Sequence, residues 1–261
     1  MNLNLQGKVA LVVASSQGLG KAIATELVKE GANVMLTSRD ETKLALVQKE
    51  LLANEAGQVA YCKADITKAS DISNLIEKTH QAFGKIDILI NNGGGPPAGT
   101  FDDFSDEDWQ KAFELNLLSY IRLTRAVLPD LKQSGGHIMS VVSSSVKQPI
   151  PGLILSNTIR TGVIGLMKTL AEELAPYNIL VNTVAPGRID TDRVKSLDRK
   201  KADESGLPVD EIAKKSKEEI PLNRYGTPEE FGRIVAFLVS SGNTYMTGQT
   251  LLIDGGAVKA I

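Results

Sequence analysis

The stretch KVALVVASSQGLGKAIATELVKEG, residues 8–31, decides the fold. Its first six residues, Lys8–Val13, are a β-branched run that reads as a buried strand. The turn Ala14-Ser15-Ser16-Gln17-Gly18-Leu19-Gly20 follows, and Lys21–Gly31 is helical in pattern. Glycines at 18 and 20 let the backbone approach a pyrophosphate and let the helix pack close to the sheet. The helix N-terminus then offers free N–H groups and its positive dipole end to phosphate oxygens. Two glycines at this spacing suit a tight structural turn nearly as well, so the surrounding chain has to decide.

Outward from that stretch the same alternation repeats. Asn33–Ser38, Val59–Lys63, Ile86–Ile90, His137–Val142, Ile179–Val184 and Thr250–Ile253 read as further strands. Most are followed by helix-length segments. Their near-continuous apolar character is what a parallel sheet covered on both faces requires. The expectation is an α/β chain with one Rossmann-type, doubly wound parallel sheet of about seven strands flanked by helices, a single domain over 1–261. Thr227-Pro228-Glu229-Glu230 carries an N-cap, a proline for the first helical position and a glutamate for a capping box. Asp190–Pro221 departs from the pattern, being charged and weakly periodic, with Lys195, Arg199, Lys200, Lys201, Lys214, Lys215 and Lys217. It reads either as a solvated pair of short helices or as a substrate lid leaving the carboxyl end of a late strand.

Composition narrows the class. Of 261 residues, 42% are hydrophobic and 23% charged, which is ordinary for a soluble chain with a sizeable core. A net charge of −2 argues against a nucleic-acid surface as the main business, while leaving room for a local basic pocket. The lone cysteine, Cys62, excludes an internal disulfide and a cysteine-rich metal site, and fits a reducing cytoplasm. Met1–Gly7 is polar and runs straight into a strand, so no signal peptide is expected, and no apolar run is long enough to span a membrane. No metal site is expected.

The second strand ends Leu36-Thr37-Ser38-Arg39. A small hydroxyl followed by a guanidinium suits a ribose 2′-phosphate, where an acidic residue would suit a 2′-hydroxyl. Asp40 is expected to cap the next helix and point away; an ordinary surface role for Arg39 is the alternative.

Taken together, the chain resembles the short-chain dehydrogenase/reductase family, and within it the 3-oxoacyl-[acyl-carrier-protein] reductase-like branch. The turn is similar to the Thr-Gly-x-x-x-Gly-x-Gly motif, with Val13 at the threonine, Ala14 at the first glycine, and Gly18 and Gly20 matching. An alanine at 14 is expected to keep φ negative. The resemblance continues through Asp65 and Ile66 in Ala64-Asp65-Ile66-Thr67, where the family's aspartate contacts adenine. It includes Asn91-Asn92-Gly93-Gly94 after the fourth strand, with Gly93 in place of the family's alanine, where the asparagines either touch cofactor or hold neighbouring strands by backbone hydrogen bonds. It extends to Pro186-Gly187-Arg188-Ile189-Asp190-Thr191 beside the nicotinamide, and to Thr247-Gly248-Gln249-Thr250 and Asp254-Gly255-Gly256. It implies NADP(H) as cofactor, contacted by Ser15, Ser16, Gly18, Leu19, Gly20, Ser38, Arg39, Asp65, Ile66, Asn92, Gly93, Arg160, Pro186, Gly187, Ile189 and Thr191.

The resemblance also places the catalytic residues. Asn116 falls at the family's proton-relay asparagine, and Ser143 at the serine that orients the substrate oxygen. Thirteen residues beyond Ser143, where the family has its tyrosine, stands Ser156. Arg160 stands where the lysine belongs, and Val163-Ile164-Gly165-Leu166 fixes the register. None of Tyr61, Tyr120, Tyr177, Tyr225 and Tyr245 lies near enough in sequence to replace the tyrosine. An aliphatic hydroxyl is a poor general acid beside a phenol of pKa about 10, and arginine hardly gives up its proton. Lys147 is the candidate substitute acid, with an exposed loop lysine as its plainer reading; His137 reads as structural. Arg160, Arg188 and Lys147 are expected either to converge on the cleft and favour an anionic substrate, or to be separate surface cations. Gly93–Gly99, with Pro96 and Pro97, adds a loop that narrows the cleft or replaces a turn. The implied function is an NADP(H)-dependent oxidoreductase acting on a small carbonyl or alcohol through a non-standard proton donor, in a homotetramer; the helices expected over Asp108–Lys132 and Leu155–Ala175 fall where the family has its dimer-forming pair. The alternatives are a catalytically silent NADP(H)-binding sensor or scaffold, and a non-redox lyase or epimerase.

Overall fold

In the computed structural model, residues 2–53 and 56–260 are described; Met1, Asn54, Glu55 and Ile261 lie outside the described residues. Seven strands form one parallel sheet in the order β3-β2-β1-β4-β5-β6-β7. They are β1 Val9–Val13, β2 Asn33–Ser38, β3 Val59–Lys63, β4 Ile88–Asn91, β5 Gly136–Val141, β6 Ile179–Pro186 and β7 Thr250–Ile253. Every expected strand is present, with ends shifted by a residue or two. Just ahead of β4, the Asp87 carboxylate accepts from the Val9 amide at 3.0 Å.

Strands β1, β2, β4, β5 and β6 are largely buried on both faces, as the apolar runs require, while β3 and the edge strand β7 are only partly buried. On β1, Ala10 and Val12 face Ile23 and Leu27 of α1 (Gly18–Lys29), Leu44 of α2 (Glu41–Leu52), and Phe231 and Val235 of α9 (Pro228–Leu238). Val9, Leu11 and Val13 point the other way, into the cluster of Leu75 from α3 (Ala69–Phe83), Leu123 and Val127 from α5 (Ser119–Ser134), and Val163 and Met167 from α6 (Ile154–Leu174). The capping box of α9 is formed as read: Thr227 accepts from the Glu230 amide at 3.2 Å and Glu230 from the Thr227 amide at 2.8 Å.

Two readings need correction. The segment Asp108–Lys132 reads as one helix but is interrupted. α4 (Asp106–Phe113) passes into a π-helical turn over Glu114–Leu118 before α5 begins. Such a turn carries one extra residue and commonly marks a functional position, and Asn116 sits inside it. Ala14 does not keep φ negative: it adopts φ +51°. The bend is imposed from both sides. The Ser15 amide is tied to Thr37 O at 3.1 Å, and the Asn92 side chain donates to the Val13 and Ala14 carbonyls.

The order reverses between β1 and β4: the chain runs outward to β2 and β3 on one side, and to β5, β6 and β7 on the other. The loops leaving the carboxyl ends of β1 and β4 therefore diverge and leave a crevice. The charged stretch forms α7 (Asp192–Ser205) and α8 (Val209–Glu218). It is not merely solvated, because Asp198 of α7 is buried and is held by Arg188 and by the Tyr225 hydroxyl at 2.8 Å.

Candidate active site

A cavity of about 1060 Å³ occupies that crevice. It is large for a small-molecule site, and it runs along the carboxyl ends of the strands from β3 to β6.

At one end is the β1 turn. Gly18 takes φ +57°, and Gly20 allows α1 to approach the strand: a methyl on Gly20 would lie 2.3 Å from Ala14 O and 2.8 Å from Asn92 Nδ2. Ser16, Gly18 and Leu19 line the cavity. Gly20 and Ser15 do not; Ser15 is fully buried, donating to Val12 O at 2.8 Å and accepting from the Thr37 amide at 3.0 Å. Their part is to shape the turn.

Ser38 and Arg39 line the same end, together with Lys43 and Lys63. Asp40 is the N-cap of α2, accepting from the Lys43 amide at 3.0 Å. Its carboxylate is thereby engaged, while the Arg39 guanidinium is exposed and has no ion-pair partner among the described residues. Asp65 and Ile66 form the adjoining wall. Partial burial alone would raise the Asp65 carboxyl, but the Thr67 hydroxyl and amide outweigh it and hold the group below the usual carboxylate range.

Toward the other end, Asn92 and Gly93 follow β4, Pro186 closes β6, and Gly187, Ile189 and Thr191 follow it, all on the cavity wall. Asn91 instead lies inside the sheet, donating to Thr124 and Ser140. The Thr191 hydroxyl donates to Ile189 O at 3.3 Å.

The inner end brings together Ser143, Ser156 and Arg160. The Ser143 hydroxyl is fixed by the Ser145 amide at 3.2 Å. Ser156 is 7% exposed and Arg160 5%. Arg160 Nη1 donates to Val141 O at 2.9 Å and Nη2 to Gly93 O at 3.4 Å. Asn116 does not reach the wall; it is fully buried, Nδ2 donating to Ala112 O at 3.3 Å and Oδ1 without a partner.

Of the two alternatives for Arg160, Arg188 and Lys147, convergence on the cleft is not found. Arg188 is drawn off by the buried Asp198, and Lys147 is exposed at the end of the turn Ser144–Val146, off the cavity. The second cation at the inner end is Arg193, in the first turn of α7. Sequence reading missed it, although an arginine two residues past Thr191, at a helix start beyond a strand's carboxyl end, is a usable signal. Structure also brings in a tyrosine that sequence distance had set aside. The Tyr120 hydroxyl donates to the same Val141 carbonyl as Arg160, at 3.1 Å. It is sealed from the cavity, and burial pushes its pKa up despite the cation beside it.

Similarity to known proteins runs through all of these segments. Residues 13–258 match the family model described as Enoyl-(Acyl carrier protein) reductase. The chain is 36% identical over 258 residues to the 3-oxoacyl-[acyl-carrier-protein] reductase FabG of Aquifex aeolicus, covering 98% of this chain and 99% of that one. It is 36% identical over 254 residues to human dehydrogenase/reductase SDR family member 4, covering 97% and 88%. Among solved structures, L-sorbose reductase from Gluconobacter frateurii, complexed with NADPH and L-sorbose, superposes with a TM-score of 0.95 at 30% identity over 100% of both chains. YwfH, an NADPH-dependent reductase involved in bacilysin biosynthesis, superposes with a TM-score of 0.93 at 29% identity, over 97% and 99%. Because the match extends through both ends of the cavity and not only through the nucleotide turn, the chain belongs to the short-chain dehydrogenase/reductase family.

Proposed function

We propose that this protein is an NADP(H)-dependent oxidoreductase acting on a small carbonyl or alcohol substrate, with a proton donor other than the family's tyrosine. One observation carries the reading: a single cavity joins the cationic end at Arg39 to the hydroxyl and guanidinium groups of Ser143, Ser156 and Arg160. The residues fit the cofactor. The glycine turn leaves room for a pyrophosphate against α1, and Arg39, Lys43 and Lys63 suit a 2′-phosphate. When bound, NADPH supplies a hydride.

The chain's own residues supply position and charge. Ser143 is pre-set to orient a substrate oxygen. Ser156 and Arg160 stand for the family's tyrosine and lysine, and Arg160 offers a fixed positive charge where negative charge develops on that oxygen. Asn116 Oδ1 is a free buried acceptor, suited to a relay water. The domain is read as one unit over 1–261 with the segment 190–221 as a substrate lid, in a cytoplasmic homotetramer.

A second reading, a silent NADP(H)-binding sensor or scaffold, is favoured by one observation: among the described residues no tyrosine, histidine or cysteine lines the cavity, and the two lysines that do belong to the Arg39 end. Titration with NADPH and NADH, followed by a carbonyl screen monitored by NADPH absorbance, separates the readings. NADPH is expected to bind more tightly, and Arg39→Ala to weaken it selectively; equal affinity of the unmodified protein for the two cofactors removes the assignment. If proton donation is the only defect, Ser156→Tyr with Arg160→Lys raises turnover on the order of 10²-fold. A loss of existing turnover instead shows a site adapted to different chemistry.

A further inference from the structure

We propose that the inner end of the cavity is a subsite for a carboxylate carried by the substrate next to its reacting carbonyl, gripped between Arg160 and Arg193. The proposal rests on the redox reading above and specifies its substrate class. Arg160 is almost wholly buried, yet among the described residues its polar neighbours are all neutral: the carbonyls of Val141 and Gly93 and, beside it, the Tyr120 hydroxyl. Among the described residues no carboxylate lies within ion-pair reach of it. A guanidinium taken out of water with neutral partners alone is under-compensated, and such groups are retained where an anion completes them.

Arg193, in the first turn of α7, adds a second charge. Its Nη2 donates to Pro96 O at 2.8 Å. The guanidinium lies flat over Gly95, where a methyl group would meet Nη2, Nε and Cζ at 3.3, 3.4 and 3.5 Å. The run Gly93-Gly94-Gly95 thus accommodates both cations, Arg160 on the carbonyl of its first residue and Arg193 over its last. Burial, and then the charge of Arg160, pull Arg193 below the usual arginine range, so the two feel each other. Asp192, the acidic neighbour on the cavity wall, pairs with neither. The other acidic lining residues, Asp40, Glu41 and Asp65, belong to the opposite end, where two have their own hydrogen bonds. Two converging guanidinium groups form a planar, multi-donor grip for a carboxylate. Ser143 remains free to hold the adjacent carbonyl oxygen.

The test is calorimetric titration of the protein, with and without saturating NADPH, using two acid–ester pairs: ketoisocaproate with its ethyl ester, and pyruvate with ethyl pyruvate. At least one acid is expected to bind about ten-fold or more tightly than its ester. Arg193→Gln, on the part-exposed helix start, is expected to erase that preference while NADPH affinity moves less than about two-fold. Acids and esters binding alike, neither acid binding, or Arg193→Gln weakening NADPH and sparing the acid would each overturn the subsite. Absence of NADPH binding alongside retained acid preference overturns the redox reading instead and leaves the anion site standing.

Discussion

At the scale of single residues, the chain tolerates local cost where the cavity needs a particular shape. Ala14 takes a left-handed conformation that costs a non-glycine residue roughly 1–2 kcal/mol; the strand ties on both sides of it outweigh that preference. His137 is a different case. Burial chiefly, with Lys8 adding and Asp87 opposing, lowers its pKa to about 4, and its Nδ1 is buried without a partner. A folded-state value below the unfolded value of about 6.5 means that the unfolded chain binds the extra proton first. The stability tied to neutral His137 is present in full above roughly pH 6.5 and is lost as pH falls toward 4. From this residue alone the protein is expected to be about 2 kcal/mol less stable at pH 5 than at pH 7. His137→Gln should flatten that interval in urea midpoints, and an unchanged slope would show that the imidazole titrates normally. Arg160 shows why the site was only partly legible: register identified the residue, but its burial and its lack of a counter-charge depend on how the loop after β4 lies across α6.

At the scale of elements, the legible features were those written in local pattern. Strand runs, the glycine turn and the α9 capping box follow from spacing alone. The π turn at Glu114–Leu118 does not, since its residues are ordinary helix formers and the extra residue is taken up only when Asn116 is drawn into the interior. The role of α7 was hidden for a similar reason. Its charges look solvated until Asp198 finds Arg188 and Tyr225, Arg193 finds Pro96, and Lys200 donates to Ala98 O at 2.6 Å. Three side chains thereby hold one helix against the cavity loops. The β1–α1 junction is the element with least tolerance. In Gly20→Ala the added methyl group meets backbone atoms that cannot swing aside. The variant is expected to lose about 1–3 kcal/mol of stability together with most NADPH affinity. A variant with wild-type melting temperature and wild-type NADPH titration would show that the junction can open.

At the scale of the whole molecule, α6 presents outward a row of small or hydroxyl side chains, Thr158, Thr161, Gly162, Gly165 and Thr169, that a second copy could approach closely. With α5 beside it, this is the face expected to build a symmetric tetramer. Light scattering at micromolar concentration should give the mass of four chains, and a single-chain mass contradicts the assembly. Sequence resemblance supplied that expectation; nothing in periodicity or composition carries it. The packing of α1 on α9 has a separate consequence. Ile23 and Leu27 share a core with Phe231 and Val235, and Gly232 comes so near that a methyl there would lie 2.7 Å from Ala22 O. The helix that presents its N-terminus to phosphate is therefore clamped by residues made some two hundred positions later. Contacts of such long sequence separation form late. During synthesis on the ribosome, the nucleotide turn should stay unfinished until α9 has emerged, and a nascent chain stalled before Thr227 should fail to retain NADPH that the released chain binds.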